Sequence, residues 1–284
     1  MTSEHPRITI VTPSYNQGQF LERTIVSVLD QHYPNLEYIV MDGGSTDNSI
    51  EIIKRYSKYL AHWVSERDGG QPEAINRGFK LSSGEILGWL NSDDRLEPGG
   101  LEIVAEHARR FPQAGAFVGH GRLVDTAGRQ TGRTRRSENL SFERFCNWLS
   151  GGDFMQPSCF FRRRAWELAG PLDESLYFAI DLDLWLRMAR QVPFQPIDAL
   201  LSTSLAHPAA KTVASRHLMT VEAALVVIKA GGVEFAKRPL EEMARSLARY
   251  EAMAQRILSL PLGHVGWRIA RPLLRRRERE PKIR

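Results

Sequence analysis

Cysteine is the scarcest residue in this sequence. The two in 284 residues, Cys146 and Cys159, have neither metal-ligand spacing nor the density of a disulfide framework. Buried or half-buried free thiols are expected. Long apolar runs are missing as well: no window approaches the roughly 18 uninterrupted apolar residues of a spanning helix, and the densest late run is only Ala223–Ile228. Any membrane contact is therefore expected to be peripheral. Met1–Arg7 is polar and leads into a short apolar run ending at Pro13, so it lacks the core of a secretory leader, and a cytoplasmic location is the expectation. No G-x-G-x-x-G follows the first apolar run, which disfavours a dinucleotide fold. General basicity is missing too once the net charge of +5 is located. From Gly266 onward eight Arg or Lys stand against two Glu, a local +6, and the preceding body is left at −1. That disfavours a nucleic-acid-binding body.

What remains is 42% hydrophobic and 25% charged, ample for the core of one large or two modest domains. Ile8–Val11 is a β-branched run, followed by Thr12-Pro13-Ser14-Tyr15-Asn16-Gln17-Gly18, which reads as a loop. Phe20, Leu21, Ile25, Val28 and Leu29 recur at helical spacing until Tyr33-Pro34, and Leu36–Met41 is a second strand. The unit is βαβ, so its strands are predicted to be parallel. Asp42-Gly43-Gly44-Ser45-Thr46-Asp47 then leads into a helix over Ile50–Tyr59. His62–Val64 reads as a short third strand, and Pro72–Leu81 as a helix with Ala74, Asn76 and Gly78 on a turn able to face a ligand.

The chain is organised around the next stretch. Ile86–Leu90 has the continuous apolarity of a strand covered on both faces, and it stops at Asn91-Ser92-Asp93-Asp94, residues that offer hard oxygen ligands. Ligands of open α/β sheets collect beyond the carboxyl ends of strands. The tetrad reads equally as a metal site or as an Asx-type turn ahead of a helix over Gly99–Phe111. Asp42 has the same two readings, ligand contact or loop cap.

Further on, Ala116–Val118 reads as a strand, Leu123–Arg129 as a hairpin and Arg133–Arg136 as a basic loop, either solvated or facing an acidic acceptor. Phe142, Phe145 and Trp148 in Leu140–Leu149 have the spacing of a helix packed on the core, with a sugar-stacking platform as the alternative. Asp181–Ala189 is helical, with Leu182, Trp185, Leu186 and Ala189 as its apolar positions; acids in its first turn would complement the helix dipole without any catalysis. From Ser215 the pattern is helical over Leu218–Lys229 and Leu240–Leu258. No internal repeat or low-complexity segment is present.

Four ordered motifs resemble the donor half of the family 2 glycosyltransferases: Thr12-Pro13-Ser14-Tyr15-Asn16; Asp42 to Asp47; Asp68-Gly69-Gly70-Gln71 through Ala74-Ile75-Asn76-Arg77-Gly78; and Trp89 to Asp94. Each alone is weak, and their order carries the resemblance, which covers roughly residues 7–212. It implies an α/β fold of GT-A type, a Rossmann-like mixed, mainly parallel sheet flanked by helices over 1–212; the helical pattern beyond it is read as a C-terminal helical extension over 213–284, outside the resemblance. It further implies an inverting enzyme that moves a sugar from a nucleotide donor, UDP- or dTDP-linked, to a carbohydrate or lipid-linked glycan hydroxyl. By the same resemblance Thr12, Pro13, Ser14, Tyr15, Asn16, Asp42, Gly70, Gln71, Asn76, Asn91 and Ser92 contact the nucleotide. Asp93 and His207 hold Mn²⁺ or Mg²⁺, and Lys211 in His207-Pro208-Ala209-Ala210-Lys211-Thr212 approaches the diphosphate.

Gln156–Phe161 resembles the strand below the acceptor site, Gly170–Glu174 the turn after it, and Asp181 the catalytic base. Two departures matter: Asn91 stands where many members have the first Asp of a D-x-D, and Ile180 where many have Glu before the catalytic Asp. They keep alive a catalytically silent nucleotide-sugar-binding protein. A sugar nucleotidyltransferase is the other rival, although no glycine-rich Arg/Lys loop follows the first strand. The tail from Gly266, with Trp267, Ile269, Leu273 and Leu274 among its charges, is either solvated or a peripheral contact with an anionic membrane.

Overall fold

The computed structural model describes residues 5–134, 139–148, 154–207 and 215–259. Lys211 and the basic tail from Gly266 lie outside them. Strand β1 (Ile8–Ser14) leads through α1 (Gly18–Leu29) to β2 (Leu36–Asp42), then through α2 (Ser49–Tyr56) to β3 (His62–Ser65), and through α3 (Gln71–Leu81) to β4 (Ile86–Trp89). These four strands pair in parallel in the order β3-β2-β1-β4, with Ser14 opposite Asp42 and Asp42 opposite Ser65. Parallel pairing puts their carboxyl ends on one edge of the sheet, which is where the site forms.

The strands alternate strictly. Ile8 and Ile10 enter one apolar cluster with Leu21, Ile25 and Val28 of α1, whereas Val11, Leu87 and Trp89 enter another with Ala74, Ile75 and Phe79 of α3. Both faces are thus covered, as the unbroken apolarity of Ile86–Leu90 predicts. Helix α3 lies so close to β1 that a Cβ on Gly78 would come within 2.5 Å of Val11 Cγ1.

The second half completes a mixed sheet. Strand β5 (Arg95–Leu96) and helix α4 (Gly100–Arg110) precede β6 (Ala116–Val124), which forms a hairpin with β7 (Gln130–Arg133). After α5 (Phe142–Cys146), β8 (Cys159–Arg162) inserts antiparallel to both β4 and β6. Helices α6 (Arg163–Ala169) and α7 (Ile180–Ala189) lead to β9 (Phe194–Leu205), parallel to β6 and antiparallel to β5. Helices α8 (Arg216–Lys229) and α9 (Val233–Ser259) end the described chain. Ala223, Ala224, Val226 and Val227 of α8 are buried in the same cluster as Leu182, Leu184 and Trp185 of α7, so α8 shares the core of the sheet domain. Among the described residues no helix is long and apolar enough to cross a membrane.

Several local expectations change. Thr12-Pro13-Ser14 continues β1 and is not a loop, because each residue pairs with β2. The predicted helix Ile50–Tyr59 ends at Tyr56 and tightens into a 3₁₀ turn over Ser57–Tyr59. The strand at Ala116 runs on to Val124, and the helix in Leu140–Leu149 is confined to Phe142–Cys146, with Phe145 fully buried as core. Gln156–Ser158 forms a 3₁₀ turn ahead of β8. Strand β9 has no forecast at all: Pro196 interrupts its pattern, and its pairing with β6 shifts register between Val118 and Gly121. Both cysteines are buried and free, as expected.

Candidate functional site

At the edge where β1, β2 and β3 end, two loops hold each other. Asn16 N–H donates to Ser45 Oγ (2.7 Å), Gln17 N–H to Ser49 Oγ (3.2 Å) and Gly18 N–H to Asp47 Oδ2 (2.8 Å), while Asn16 Oδ1 accepts from Thr46 N–H (2.8 Å). Asp47 also accepts from Ser49 N–H, so one carboxylate caps the starts of α1 and α2. Burial pushes its carboxyl up, but these hydrogen bonds outweigh burial and hold it below the usual range.

Asp42, buried at the end of β2, accepts from Ser45 N–H and Gly44 N–H, and its oxygens also take the hydroxyls of Ser45 and Ser65. It is a loop organiser, satisfied within the protein. Asp68 faces it across Gly43, where an added Cβ would come within 3.0 Å of Asp68 Oδ1. Burial raises the Asp68 carboxyl, against a bond from Gly70 N–H. Between these loops Ser14 Oγ is buried with no hydrogen-bond partner among the described residues, and Tyr15 is 61% exposed.

The tetrad after β4 is strapped down from three sides. Thr24 Oγ1 of α1 donates to the carbonyls of Ser92 (2.8 Å) and Asp94 (2.7 Å). Strand β5 pairs with β9, Arg95 opposite Thr203, so the chain beyond Leu205 is carried back over the tetrad. There His207 Nε2 meets Asp93 Oδ2 at 3.0 Å, across 114 residues of sequence. The imidazole is packed on Phe20 of α1, with ring centroids 4.7 Å apart. Asp94 is buried beside Asp93, and burial together with that neighbouring carboxylate pushes its carboxyl up. Asn91 is a hub: its Oδ1 accepts from Gln71 Nε2 (2.7 Å), and its Nδ2 donates to Asp94 Oδ2 (3.1 Å) and Gln156 Oε1 (3.3 Å). Gln156 Nε2 in turn donates to Trp89 O (2.9 Å), joining the turn before β8 to the end of β4.

Asp181 stands in the first turn of helix α7. Asp181 Oδ1 accepts from Leu182 N–H, and the carboxyl is pushed up to about 6 by burial, with Glu222 adding repulsion. Its field reaches the buried Cys159 of β8, whose thiol is raised mainly by its own burial. Asp183 turns the other way, into an ion pair with Arg187, whose guanidinium holds the carbonyls of Ala169, Gly170 and Pro171.

Two expected site residues are committed elsewhere. Thr12 is fully buried with its hydroxyl at 3.1 Å from Tyr38 Oη, inside the sheet. Asn76 is buried and spends both ends of its amide on the turn before α7: Oδ1 accepts from Leu172 N–H (2.9 Å), and Nδ2 donates to Leu172 O (3.0 Å) and Glu174 Oε1 (2.8 Å). Neither is free for a ligand; Asn76 is a clasp between α3 and residues 172–174.

Parallel strands ending in polar loops, a carboxylate pair after β4 and a late histidine closing on it are joined by a match in sequence. The profile of "Glycosyl transferase family 2" covers residues 9–168. The chain belongs to that family. The chondroitin synthase of Escherichia coli is 27% identical to this glycosyltransferase over 206 residues, 71% of the chain but 29% of that protein. The match thus spans 21–29% of the length of these synthases. Among solved structures, TarS of S. aureus in complex with UDP-GlcNAc superposes with a TM-score of 0.61 at 16% identity, over 82% of this chain and 71% of that one. The mannosyltransferase PcManGT of Pyrobaculum calidifontis, in complex with GDP-Man and Mn²⁺, gives 0.57 at 17% identity, over 92% and 82%. The fold is therefore of the GT-A type.

Sequence reasoning on this glycosyltransferase missed Phe20, Thr24 and Glu222, and took Gln156 for part of a strand. Phe20 was visible only as a helix-face residue. Thr24 and Glu222 carry no local signal, because their partners lie 68 to 70 and 43 to 45 residues away.

Proposed function

We propose that the chain transfers a sugar, with inversion, from a UDP- or dTDP-linked donor to a hydroxyl of a growing polysaccharide or glycoconjugate, with Mn²⁺ or Mg²⁺ held by Asp93 and His207. The observation that carries this reading is the meeting of Asp93 Oδ2 and His207 Nε2 at 3.0 Å over the carboxyl end of β4. Adjacent vertices of an octahedron with bonds near 2.1 Å are about 3.0 Å apart, so both atoms suit one small divalent cation. Among the described residues no group of three or more His, Cys, Asp or Glu could hold a metal. The protein would then supply two ligands and leave the other positions to phosphate and water, a common pattern for Mg²⁺ sites. A bound cation would offset the charge that develops on the diphosphate leaving group.

The protein's own groups do the rest. Tyr15, exposed just beyond β1, is the residue of the first loop open to a nucleotide, with Asp68, Gly70 and Gln71 facing it. Asp42, Asn16, Asn91 and Ser92 shape that surface from behind. Asp181 accepts the proton of the acceptor hydroxyl as its oxygen attacks the anomeric carbon from the side opposite the leaving diphosphate. A carboxyl near 6 is ionised at neutral pH yet basic enough for this task. The names of the relatives, a chondroitin synthase among them, support a polysaccharide product.

Calorimetry of UDP binding with manganese tests the assignment. Asp93→Ala is expected to keep the parental melting behaviour and lose manganese-dependent binding; parental binding by the variant would sink it.

A further inference from the structure

The carboxylate of Glu222, on α8, accepts hydrogen bonds from three successive backbone N–H groups: Tyr177 (2.9 Å), Phe178 and Ala179 (2.7 Å). These residues run directly into α7, and Ala179, which caps that helix, has no side-chain oxygen to satisfy the open amides of its first turn. Glu222, on a helix 43 to 45 residues downstream, takes the amide of Ala179 and the two just ahead of it. Helix α8 can hold it in place because Ala223, Ala224, Val226 and Val227 are buried against α7. Glu222 lies beyond residues 9–168, which the family profile matches.

We propose that Glu222 is a positioning residue for the transfer: by fixing residues 177–179 it sets where Asp181 points at the start of α7. This rests on the reading of Asp181 as the base. A glutamine would not replace it: Oε1 accepts from Tyr177 and Oε2 from Phe178 and Ala179, so an amide would set its own N–H₂ against one of these donors. Three groups face or flank Asp181. Glu222 approaches from α8 and Cys159 from β8, while Asp183 on the same helix is neutralised by Arg187. Of these only Glu222 brings a carboxylate with no cationic partner among the described residues, and its repulsion favours the protonated form of Asp181 and makes it a stronger base.

The test uses the full chain and hydrolysis of UDP-N-acetylglucosamine with manganese, since water can stand in for the acceptor. E222Q is expected to bind UDP with parental affinity and to keep KM within about twofold, while kcat falls about 10- to 100-fold through loss of alignment. Its acid limb should move to lower pH, because a like charge beside the base has gone. A purely structural cap would not move that limb. D181N inactive, with E222Q parental in kcat and acid limb, would overturn the role of Glu222 alone. D181N turning over at nearly the parental rate would instead sink the base beneath it. E222Q that loses UDP binding together with kcat also overturns the proposal, since the defect would then lie in the fold.

Discussion

Asp181, proposed above as the base, shows what burying a carboxyl costs. Its carboxyl rises from 3.8 to about 6 because burial penalises the ion, so the folded state holds that proton more tightly than the unfolded chain does. The stabilising contribution is therefore present below the ordinary carboxylate range and is lost as pH rises through about 6. At about pH 7.5 the ion is a liability of roughly 1–3 kcal/mol. Asp181→Asn keeps the oxygen that Leu182 N–H needs and removes the charge. The variant is expected to melt higher than the parent near pH 7.5, with the gap closing toward about pH 4, while turnover falls about 10²–10⁴-fold. Equal melting temperatures at both pH values would show that Asp181 is better solvated than its surroundings imply. The acid in the first turn was legible in the sequence. The carboxylate of α8 was not, because no local pattern ties residue 222 to residue 181.

At the scale of elements, the site is assembled by clasps between pieces far apart in sequence. Asn76 stands on the inner face of α3, where a small polar residue suggests a ligand; its partners turn out to be Leu172 and Glu174. Asn76→Ala would leave the buried amide and carbonyl of Leu172 unpaired, at about 2–3 kcal/mol. The expected result is a lower melting temperature with UDP affinity unchanged, and a loss of UDP affinity at unaltered stability would return Asn76 to the donor site. The βαβ units themselves were readable from periodicity, since β1, β2 and β4 are short apolar runs punctuated by loop residues. Strand β9 was not, because Pro196 and a register shift break its alternation; only pairing with β6 and β5 makes it a strand. Yet β9 is the element that carries His207 to Asp93.

At the scale of the molecule, the helices after the sheet divide into a part the core needs and a part it does not. Helix α8 buries four apolar residues against α7 and supplies Glu222, whereas Leu247, Tyr250 and Met253 of α9 are more than half exposed. A chain ending at Ser215 uncovers that face of α7, and burial of each such side chain is worth about 1.5–3 kcal/mol when complete. It is expected to be insoluble or to lose cooperative unfolding, as read by calorimetry. A chain ending at Gly263 keeps α8 and α9 and is expected to melt as the parent does. Compared with the full chain, it also tests the basic tail: cosedimentation with anionic vesicles should weaken, since each basic residue near such a surface is worth about 1 kcal/mol. Equal binding by both would assign the tail to solvent.

The sequence by itself determined the layered α/β architecture, the polar edge at the strand ends and the carboxylates available there, because apolar periodicity and turn residues act over a few positions. Only the tertiary structure decided which polar residues are free to act. Asp42, Asn76 and Thr12 are spent on partners 2 to 98 residues away, and His207 and Glu222 are brought to the site from far downstream. A buried polar group must find a partner somewhere, and a one-dimensional pattern does not say whether that partner is the protein or its substrate.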